Sequence, residues 1–189
     1  MNRFIFLCLI WLPLSLSAQS LAPLPDSMQS LLAQFEALDE AQQYCPIDKE
    51  EPGSPMLLMV EIYDRQTKKP LVNKEVFMTQ TSEAGVYDLS REGDWASARI
   101  SGTVRTDQQG RYLIRSIVPG TYPNHPTAYP HIHLMIESLG KPYFDIVFLP
   151  YLNWYGKRDL RKKPEQRFAA KMWQYQGYEV GYVRVWVGD

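Results

Sequence analysis

Short segments of apolar or alternating residues, each bounded by turn residues, recur along most of this 189-residue chain. Such spacing is typical of strands in an all-β domain rather than of a helix bundle. The segments predicted as strands are residues 56–63, 74–81, 98–106, 110–117, 131–137, 144–148 and 181–187. We predict that residues 107–110 are a hairpin connection between the strands at 98–106 and 110–117, in which Gly110 can adopt a positive φ. The predicted fold class is therefore mostly β, an antiparallel β-sandwich.

The periodicity before the first strand is helical. Asp26 and Ser27 are suitable N-cap residues, and apolar residues then recur at the spacing of one helix face. The residues of this stripe are Met28, Leu31, Leu32, Phe35 and Leu38. We predict an N-terminal amphipathic helix over 27–43, packed on the sheet domain or on a second copy in a homo-oligomer. A linker rich in proline and charge completes the segment 21–55, and the β-sandwich domain occupies 56–189.

Positive and negative charges are almost balanced, with 20 Lys and Arg against 21 Asp and Glu and a net charge of -1. This balance does not favour a polyanion, so no nucleic-acid partner is expected. The basic run 157–163 is short, and we interpret it as a solvated loop or helix face. The pattern around it is irregular between residues 149 and 176, where we expect a short helix at about 164–173.

The first twenty residues have the composition of a secretory signal peptide. Arg3 supplies a positive charge, and residues 4–16 form an apolar stretch too short to span a bilayer comfortably. Residues 18–20, Ala-Gln-Ser, offer a small-x-small cleavage site. We therefore predict a signal peptide over 1–20, a periplasmic or secreted location, and no membrane association after signal removal.

Export makes the number of cysteines informative. Cys8 would leave with the signal, so Cys45 would remain alone and could not form an intrachain disulfide. We expect Cys45 to be a buried small residue or to pair between chains, and we assign it no catalytic role.

Two of the three histidines form the segment His131-Ile132-His133. Side chains two residues apart point to the same face of a strand, so both imidazoles can reach one metal ion while Ile132 points into the core. Pro130 restricts the backbone at the entry to this strand. A pair of histidines can also be ordinary surface residues, so the pair by itself leaves both interpretations open.

Four motifs occur in a fixed order around this pair. They are QTSEAGVY at 80–87, TDQQGRY at 106–112, PGTYP at 119–123 and HIH at 131–133. In this order and spacing the sequence resembles the intradiol ring-cleavage dioxygenases, the family that contains protocatechuate 3,4-dioxygenase and catechol 1,2-dioxygenase. The resemblance extends from about residue 56 to about residue 148.

The resemblance implies a non-haem Fe(III) centre held by Tyr87, Tyr122, His131 and His133, without an organic cofactor. Fe(III) is a hard cation that favours anionic oxygen, which two phenolates supply. The implied reaction cleaves a catechol-type ring with O2 to a muconate-type diacid. Tyr122 is implied to remain bound, while the catechol displaces Tyr87, which then accepts a substrate proton.

The chain departs from the family pattern just before the histidine pair. Family members usually carry an arginine three residues before the first histidine, where it stabilises the anionic substrate, and this chain has Ala128. We expect Tyr129, or an arginine such as Arg105 or Arg115, to shape the pocket in its place.

Three other functions remain open from the sequence. A non-catalytic transthyretin-like or carboxypeptidase-regulatory-like module shares the TD-x-x-G-x-Y strand pattern but lacks the two tyrosines combined with His-x-His. A relative of the enzymes that keeps its metal and has lost ring cleavage would agree with Ala128. A zinc or copper site would use the histidine pair alone.

Overall fold

A computed structural model describes residues 20–47, 50–125, 127–136 and 144–188. Within these ranges the α-helices are α1 (Asp26–Glu36) and α2 (Trp154–Lys162). The strands there are β1 (Gln43–Tyr44), β2 (Pro55–Asp64), β3 (Glu75–Gln80), β4 (Ser101–Arg105), β5 (Arg111–Ile117), β6 (His131–Met135), β7 (Phe144–Phe148), β8 (Arg167–Tyr175) and β9 (Tyr178–Val187). The signal peptide predicted over 1–20 lies, except for Ser20, outside the described residues. Neither α1 nor α2, nor any other helix in the described ranges, is long and apolar enough to cross a membrane.

The strands of the described ranges form one mixed sheet in the order β1-β5-β2-β9-β8-β7-β6-β3-β4. The pairs β1/β5, β2/β9 and β7/β8 are parallel. Strands β1 and β4 stand at opposite ends of this order and still contact each other, so the sheet nearly closes. The prediction of a mostly β fold is confirmed. The prediction of an antiparallel sandwich is wrong in its strand pairing, because β2 pairs in parallel with the C-terminal strand β9. The predicted hairpin at 107–110 is also wrong, because β4 pairs with β3 whereas β5 pairs with β1 and β2.

The inner face of the curved sheet encloses the main hydrophobic core. Leu58 and Val60 of β2 and Ile132 and Leu134 of β6 are fully buried there. Burial of each such side chain contributes about 1.5–3 kcal/mol. Because side chains alternate across a strand, the histidines beside Ile132 must lie on the outer face of β6. The core thus fixes the strand that presents the histidines without including them.

Helix α1 covers part of the outer face of the sheet. Its Leu32 and Phe35 are buried against Leu57 and Met59 of β2. The other members of the predicted stripe pack at the edge of this cluster: Met28, Leu31 and Leu38. Of the two predicted contacts of this helix, the structure therefore shows the one with the chain's own sheet. The helix ends at Glu36 rather than at residue 43, because residues 43–44 form β1 beside β5.

Cys45 lies directly after β1 and is exposed. The prediction that Cys45 is a buried small residue is therefore wrong. Its thiol donates a 3.7 Å hydrogen bond to the carbonyl of Ile47. The alternative, that Cys45 pairs between chains, stays a prediction.

The region after β7 differs from its prediction. The helix expected at 164–173 is wrong, because β8 begins at residue 167 and has the burial period of a strand. Its buried residues are Phe168, Ala170 and Met172. The helix of this region is α2, where Asn153 accepts a hydrogen bond from the Gly156 amide at 2.9 Å. Helix α2 carries most of the basic run 157–163, whose Lys157, like the last three residues of the run, is exposed.

Candidate metal centre

The four predicted ligand residues come from three segments on the outer face of the sheet. His131 and His133 stand on β6, two residues apart and on the same side. Tyr87 lies in the connection between β3 and β4, and Tyr122 lies in the connection between β5 and β6. Two loops must therefore converge over one strand for these four side chains to meet.

Glycines of two motifs join these loops backbone to backbone. A Cβ at Gly85 would lie 1.9 Å from the carbonyl oxygen of Thr121, and a Cβ at Gly120 would lie 2.1 Å from that of Glu83. The Gly120 amide also donates a 2.9 Å hydrogen bond to the carbonyl of Ser82. Only residues without a side chain allow so close an approach. The two glycines thus set the separation of the tyrosines that follow each of them by two residues.

The glutamine of the first motif has a structural role. Gln80 is buried, and its side-chain amide donates to the Ile117 carbonyl at 3.0 Å and accepts from the Ser116 hydroxyl at 3.1 Å. The Thr81 hydroxyl donates to the Gly120 carbonyl at 2.7 Å. Each such bond contributes about 0.5–1.5 kcal/mol net. Together they tie the start of the first tyrosine loop to the start of the second.

The donor atoms of the four residues form a compact cluster. The hydroxyl oxygens of Tyr87 and Tyr122 are 2.9 Å apart. The Tyr122 oxygen is 3.1 Å from His131 Nε2, which is 3.2 Å from His133 Nε2. Ligands held about 2.0–2.2 Å from one metal ion lie roughly 3 Å from each other. The measured separations are those of side chains that can close on one metal ion.

Hydrogen bonds on the far side of each imidazole fix its orientation. His131 Nδ1 is 2.8 Å from the Tyr129 carbonyl, and His133 Nδ1 is 2.7 Å from Asp145 Oδ1. A carbonyl and a carboxylate only accept, so both Nδ1 atoms donate, and each ring in its neutral form presents a lone pair at Nε2. Two lone pairs 3.2 Å apart do not hydrogen-bond to each other, but they suit two nitrogens on one cation.

Burial sets the protonation of these groups. It lowers the pKa of His131, and the neighbouring His133 lowers that pKa further, so His131 is a neutral base at neutral pH. Burial raises the pKa of Tyr122, against the hydrogen bond from Tyr87, so a phenolate there requires a bound cation. Burial alone would raise the pKa of Asp145, but the hydrogen bond from His133 and the positive charge of Arg167 hold it below its usual value.

The tyrosines are needed to complete a ligand set. Within the described ranges, no group of three or more His, Cys, Asp or Glu side chains is arranged to hold a metal ion. A zinc or copper ion on the histidine pair alone would therefore have two protein ligands, fewer than the three or four of ordinary zinc sites. With the two phenol oxygens, the site would offer four candidate ligands.

A pocket of ≈ 260 Å³ opens beside the cluster. The indole of Trp95 forms part of its wall and stacks on His133, with ring centres 4.9 Å apart, and on Tyr87, at 5.5 Å. Tyr129 also lines the pocket. Drug-sized ligands occupy pockets of about 300–1,000 Å³. This smaller volume suits a single aromatic ring.

The position of the usual arginine carries no charge. Ala128 lines the pocket, as does Tyr129, one of its expected replacements. The other two, Arg105 and Arg115, do not line it, because each forms an ion pair elsewhere. The pocket wall does contain Arg167 of β8. The expectation that Arg105 or Arg115 reaches the site is therefore wrong.

Sequence reasoning missed Trp95, Asp145 and Arg167. Trp95 lies in a loop without a motif, on a single 3-10 turn. Asp145 had a usable signal, because it is the polar residue among the buried apolar residues of β7 and must therefore face outward. Arg167 had none, because its segment was predicted as a helix.

A larger groove of ≈ 380 Å³ borders the glycine contact. Glu83, Thr121 and Tyr151 are among the residues that line it, and none of the four donor residues does. The arrangement of donor atoms, rather than volume, identifies the smaller pocket as the candidate site.

Comparisons with known proteins agree with this fold and these motifs. The family model described as Dioxygenase matches residues 31–141. No curated protein sequence matches the chain. The dioxygenase domain of a dioxygenase carbohydrate-binding protein fusion from Streptomyces sp. SirexAA-E has a TM-score of 0.55 and 20% identity, over 88% of this chain and 99% of that one.

Two further solved structures have the same fold. An intradiol ring-cleavage dioxygenase from Tetranychus urticae has a TM-score of 0.54 and 13% identity, over 77% of this chain and 85% of that one. The 3-chlorocatechol 1,2-dioxygenase from Rhodococcus opacus 1CP has a TM-score of 0.52 and 22% identity, over 78% of this chain and 64% of that one. At such identities the structures establish the fold, and the family model establishes the family. The members are enzymes, so the non-catalytic module is set aside. The chain belongs to the family of intradiol ring-cleavage dioxygenases.

Proposed function

We propose that this protein is an exported, non-haem Fe(III) dioxygenase that cleaves catechol-type rings with O2 to muconate-type diacids. The observation that carries the proposal is the cluster of two phenol oxygens and two imidazole nitrogens, with successive separations of 2.9, 3.1 and 3.2 Å. Export rests on the composition of residues 1–20, and the N-terminal sequence of the mature protein tests it.

The donor set fits Fe(III) better than a softer or less charged metal. Two phenolates would bring two negative charges to a hard trivalent cation and leave a low net charge in a partly buried site. The bonds to Tyr129 and Asp145 already orient the imidazoles, with the two Nε2 atoms 3.2 Å apart and that of His131 3.1 Å from the Tyr122 oxygen. When bound, Fe(III) would withdraw electron density from a coordinated catechol and so make the ring reactive toward O2.

The protein residues would have separate roles in metal binding and proton transfer. His131 and His133 hold their positions on a core strand, while Tyr122 lies between Tyr87 and His131 in the chain of contacts and is the natural permanent ligand. Tyr87 stands on the loop between β3 and β4. Its oxygen can leave as a catechol binds and take the proton of a catechol hydroxyl. Both atoms of O2 end in the diacid, so no other oxidant is required.

The pocket favours a small ring without an acidic substituent. Ala128 supplies no cation, and Arg167 contacts Asp145 at 3.2 Å and Asp159 at 3.7 Å. Its positive charge is thus already countered by two carboxylates. Oxygen uptake should therefore be screened with catechol, hydroxyquinol, substituted catechols and protocatechuate, which carries a carboxylate.

The deciding experiment uses Tyr122→Phe. Iron-loaded wild-type protein should show the visible charge-transfer band of tyrosinate on Fe(III), and the variant should bleach or shift this band and retain less iron, because one anionic oxygen is lost. Tyr182→Phe is the matched control, since its hydroxyl also forms a hydrogen bond, to Glu61 at 2.8 Å, far from the site. An unchanged spectrum in Tyr122→Phe contradicts its role as ligand.

Metal content and turnover separate the remaining functions. Protein that purifies with zinc, without colour, would support a site on the histidine pair alone. Protein that binds iron with the expected colour but consumes no O2 with any catechol would support a relative that has lost ring cleavage, as Ala128 allows.

A further inference from the structure

One row of side chains crosses four strands on the outer face of the sheet. Thr79 of β3 is paired with His133 of β6, His133 with Asp145 of β7, and Asp145 with Arg167 of β8. Residues directly opposite each other on neighbouring strands have side chains on the same face and within contact distance. The register of the sheet therefore places a carboxylate and a guanidinium in line behind one of the two histidines.

Hydrogen bonds connect the last three side chains of this row, from His133 through Asp145 to Arg167. His133 Nδ1 donates to Asp145 Oδ1 at 2.7 Å, and Arg167 Nε donates to Asp145 Oδ2 at 3.2 Å. Both oxygens of the carboxylate are thus held, one by the imidazole and one by the arginine. Asp145 and Arg167 are each about 18% exposed at the side chain, so these bonds are largely shielded from water.

The other histidine has a different partner. His131 Nδ1 donates to a neutral acceptor, the Tyr129 carbonyl, at 2.8 Å. A carboxylate behind an imidazole fixes the ring and raises the basicity of its far nitrogen more strongly than a neutral carbonyl does. The two imidazoles are therefore unequal as ligands, although their Nε2 atoms face the same point.

We propose that Asp145, held by Arg167, is a positioning residue that makes His133 the stronger of the two histidine ligands. The proposal rests on the proposed iron site and adds residues that act through His133 rather than on substrate. Arg167 is in this role an anchor for Asp145 and not an anion-binding group for the substrate. Its second ion pair, to Asp159 at 3.7 Å, steadies the same guanidinium from α2.

The chain offers a matched control for this role. Asp159 contacts the same arginine and lines the same pocket, and its ion pairs are with Arg167 and Arg158. Asp145→Asn and Asp159→Asn remove the same charge by the same isosteric change. A difference between them therefore reports on the contact with His133 rather than on the charge of the pocket.

The test measures three quantities on the full-length mature protein: the iron dissociation constant by competition with a chelator, the tyrosinate charge-transfer band, and the unfolding midpoint of the metal-free protein. Asp145→Asn should weaken iron binding about 10–100-fold and shift the band of the iron-loaded form. Asp159→Asn leaves the bond between Asp145 and His133 in place, so it should change the iron dissociation constant and the band much less than Asp145→Asn does. Arg167→Gln should weaken iron binding in the same direction but less, and it decides the matter if Asp145→Asn does not fold.

Distinct results would overturn the proposal. If Asp145→Asn binds iron as tightly as the wild type, the row has no role in iron binding. If Asp145→Asn does not fold, equal iron affinity in the wild type and Arg167→Gln leads to the same conclusion. Equal losses in the two asparagine variants assign the effect to pocket charge. A lower unfolding midpoint with an unshifted band assigns Asp145 a structural role only. Wild-type protein that binds no iron would contradict both the proposed function and this inference. The other outcomes would contradict this inference alone.

Discussion

Replacing Gly85 with alanine tests whether backbone contact between two loops builds the site. Gly85 has a φ of +77°, and a Cβ there would lie 1.9 Å from the Thr121 carbonyl oxygen and 3.1 Å from Pro123 Cδ. Gly93, in the same connection between β3 and β4, has a nearly equal φ of +75° and no described atom within 4 Å of such a Cβ. The two positions share the backbone strain and differ in the clash.

The magnitudes follow from these two contributions. A left-handed conformation costs a residue with a side chain about 1–2 kcal/mol, which applies to both variants. Forcing an atom into a packed contact costs about 1–3 kcal/mol more, which applies to Gly85→Ala. We expect the free energy of unfolding to fall by about 2–5 kcal/mol in Gly85→Ala and by about 1–2 kcal/mol in Gly93→Ala. The loop must also retreat, which should separate Tyr87 from Tyr122 and weaken iron binding.

The assay is urea unfolding of the metal-free proteins, followed by tryptophan fluorescence, with iron content and the visible band measured on the loaded forms. Gly177→Ala serves as a remote control, because its φ is +85° and no described atom lies near its Cβ position. Equal destabilisation in all three variants, with normal iron content in Gly85→Ala, would refute the reasoning.

Two further predictions concern stability away from the pocket. Phe35→Ala should lower the free energy of unfolding by about 3–5 kcal/mol, because the ring is fully buried between α1 and the sheet. The visible band of the iron-loaded protein should not change. A loss of stability below about 1 kcal/mol would contradict this packing. The hydrogen bond from Arg99 lowers the pKa of Glu51, so this carboxylate stabilises the fold above the ordinary glutamate pKa of about 4.3, and the contribution is lost as the pH falls through the lowered value. Glu51→Gln should therefore flatten the acid limb of a stability-against-pH curve, with Glu92→Gln as a surface control, and an unchanged acid limb would contradict the role of this pair.

The histidine pair and most strands were predictable because the rules involved act over a few residues. The alternation of β6 places His131 and His133 on one face and Ile132 in the core, and the fully buried Ile132 agrees. The motif glycines also indicated tight turns. Strand β8 was missed because its apolar residues were given a helical rather than a two-residue period, and β1 because two residues carry no periodic signal.

The sequence by itself determined the outward pair of histidines, the sites of the turns and the motifs that carry the family resemblance, since each depends on neighbours in the chain. Tertiary structure decided the parallel pairing of β2 with β9, the meeting of two tyrosine loops at Gly85 and Gly120, and the row that sets Asp145 behind His133. The physical reason is that strand order and register depend on how the whole core packs. A shift of one residue in β7 would turn Asp145 inward and leave His133 without its carboxylate.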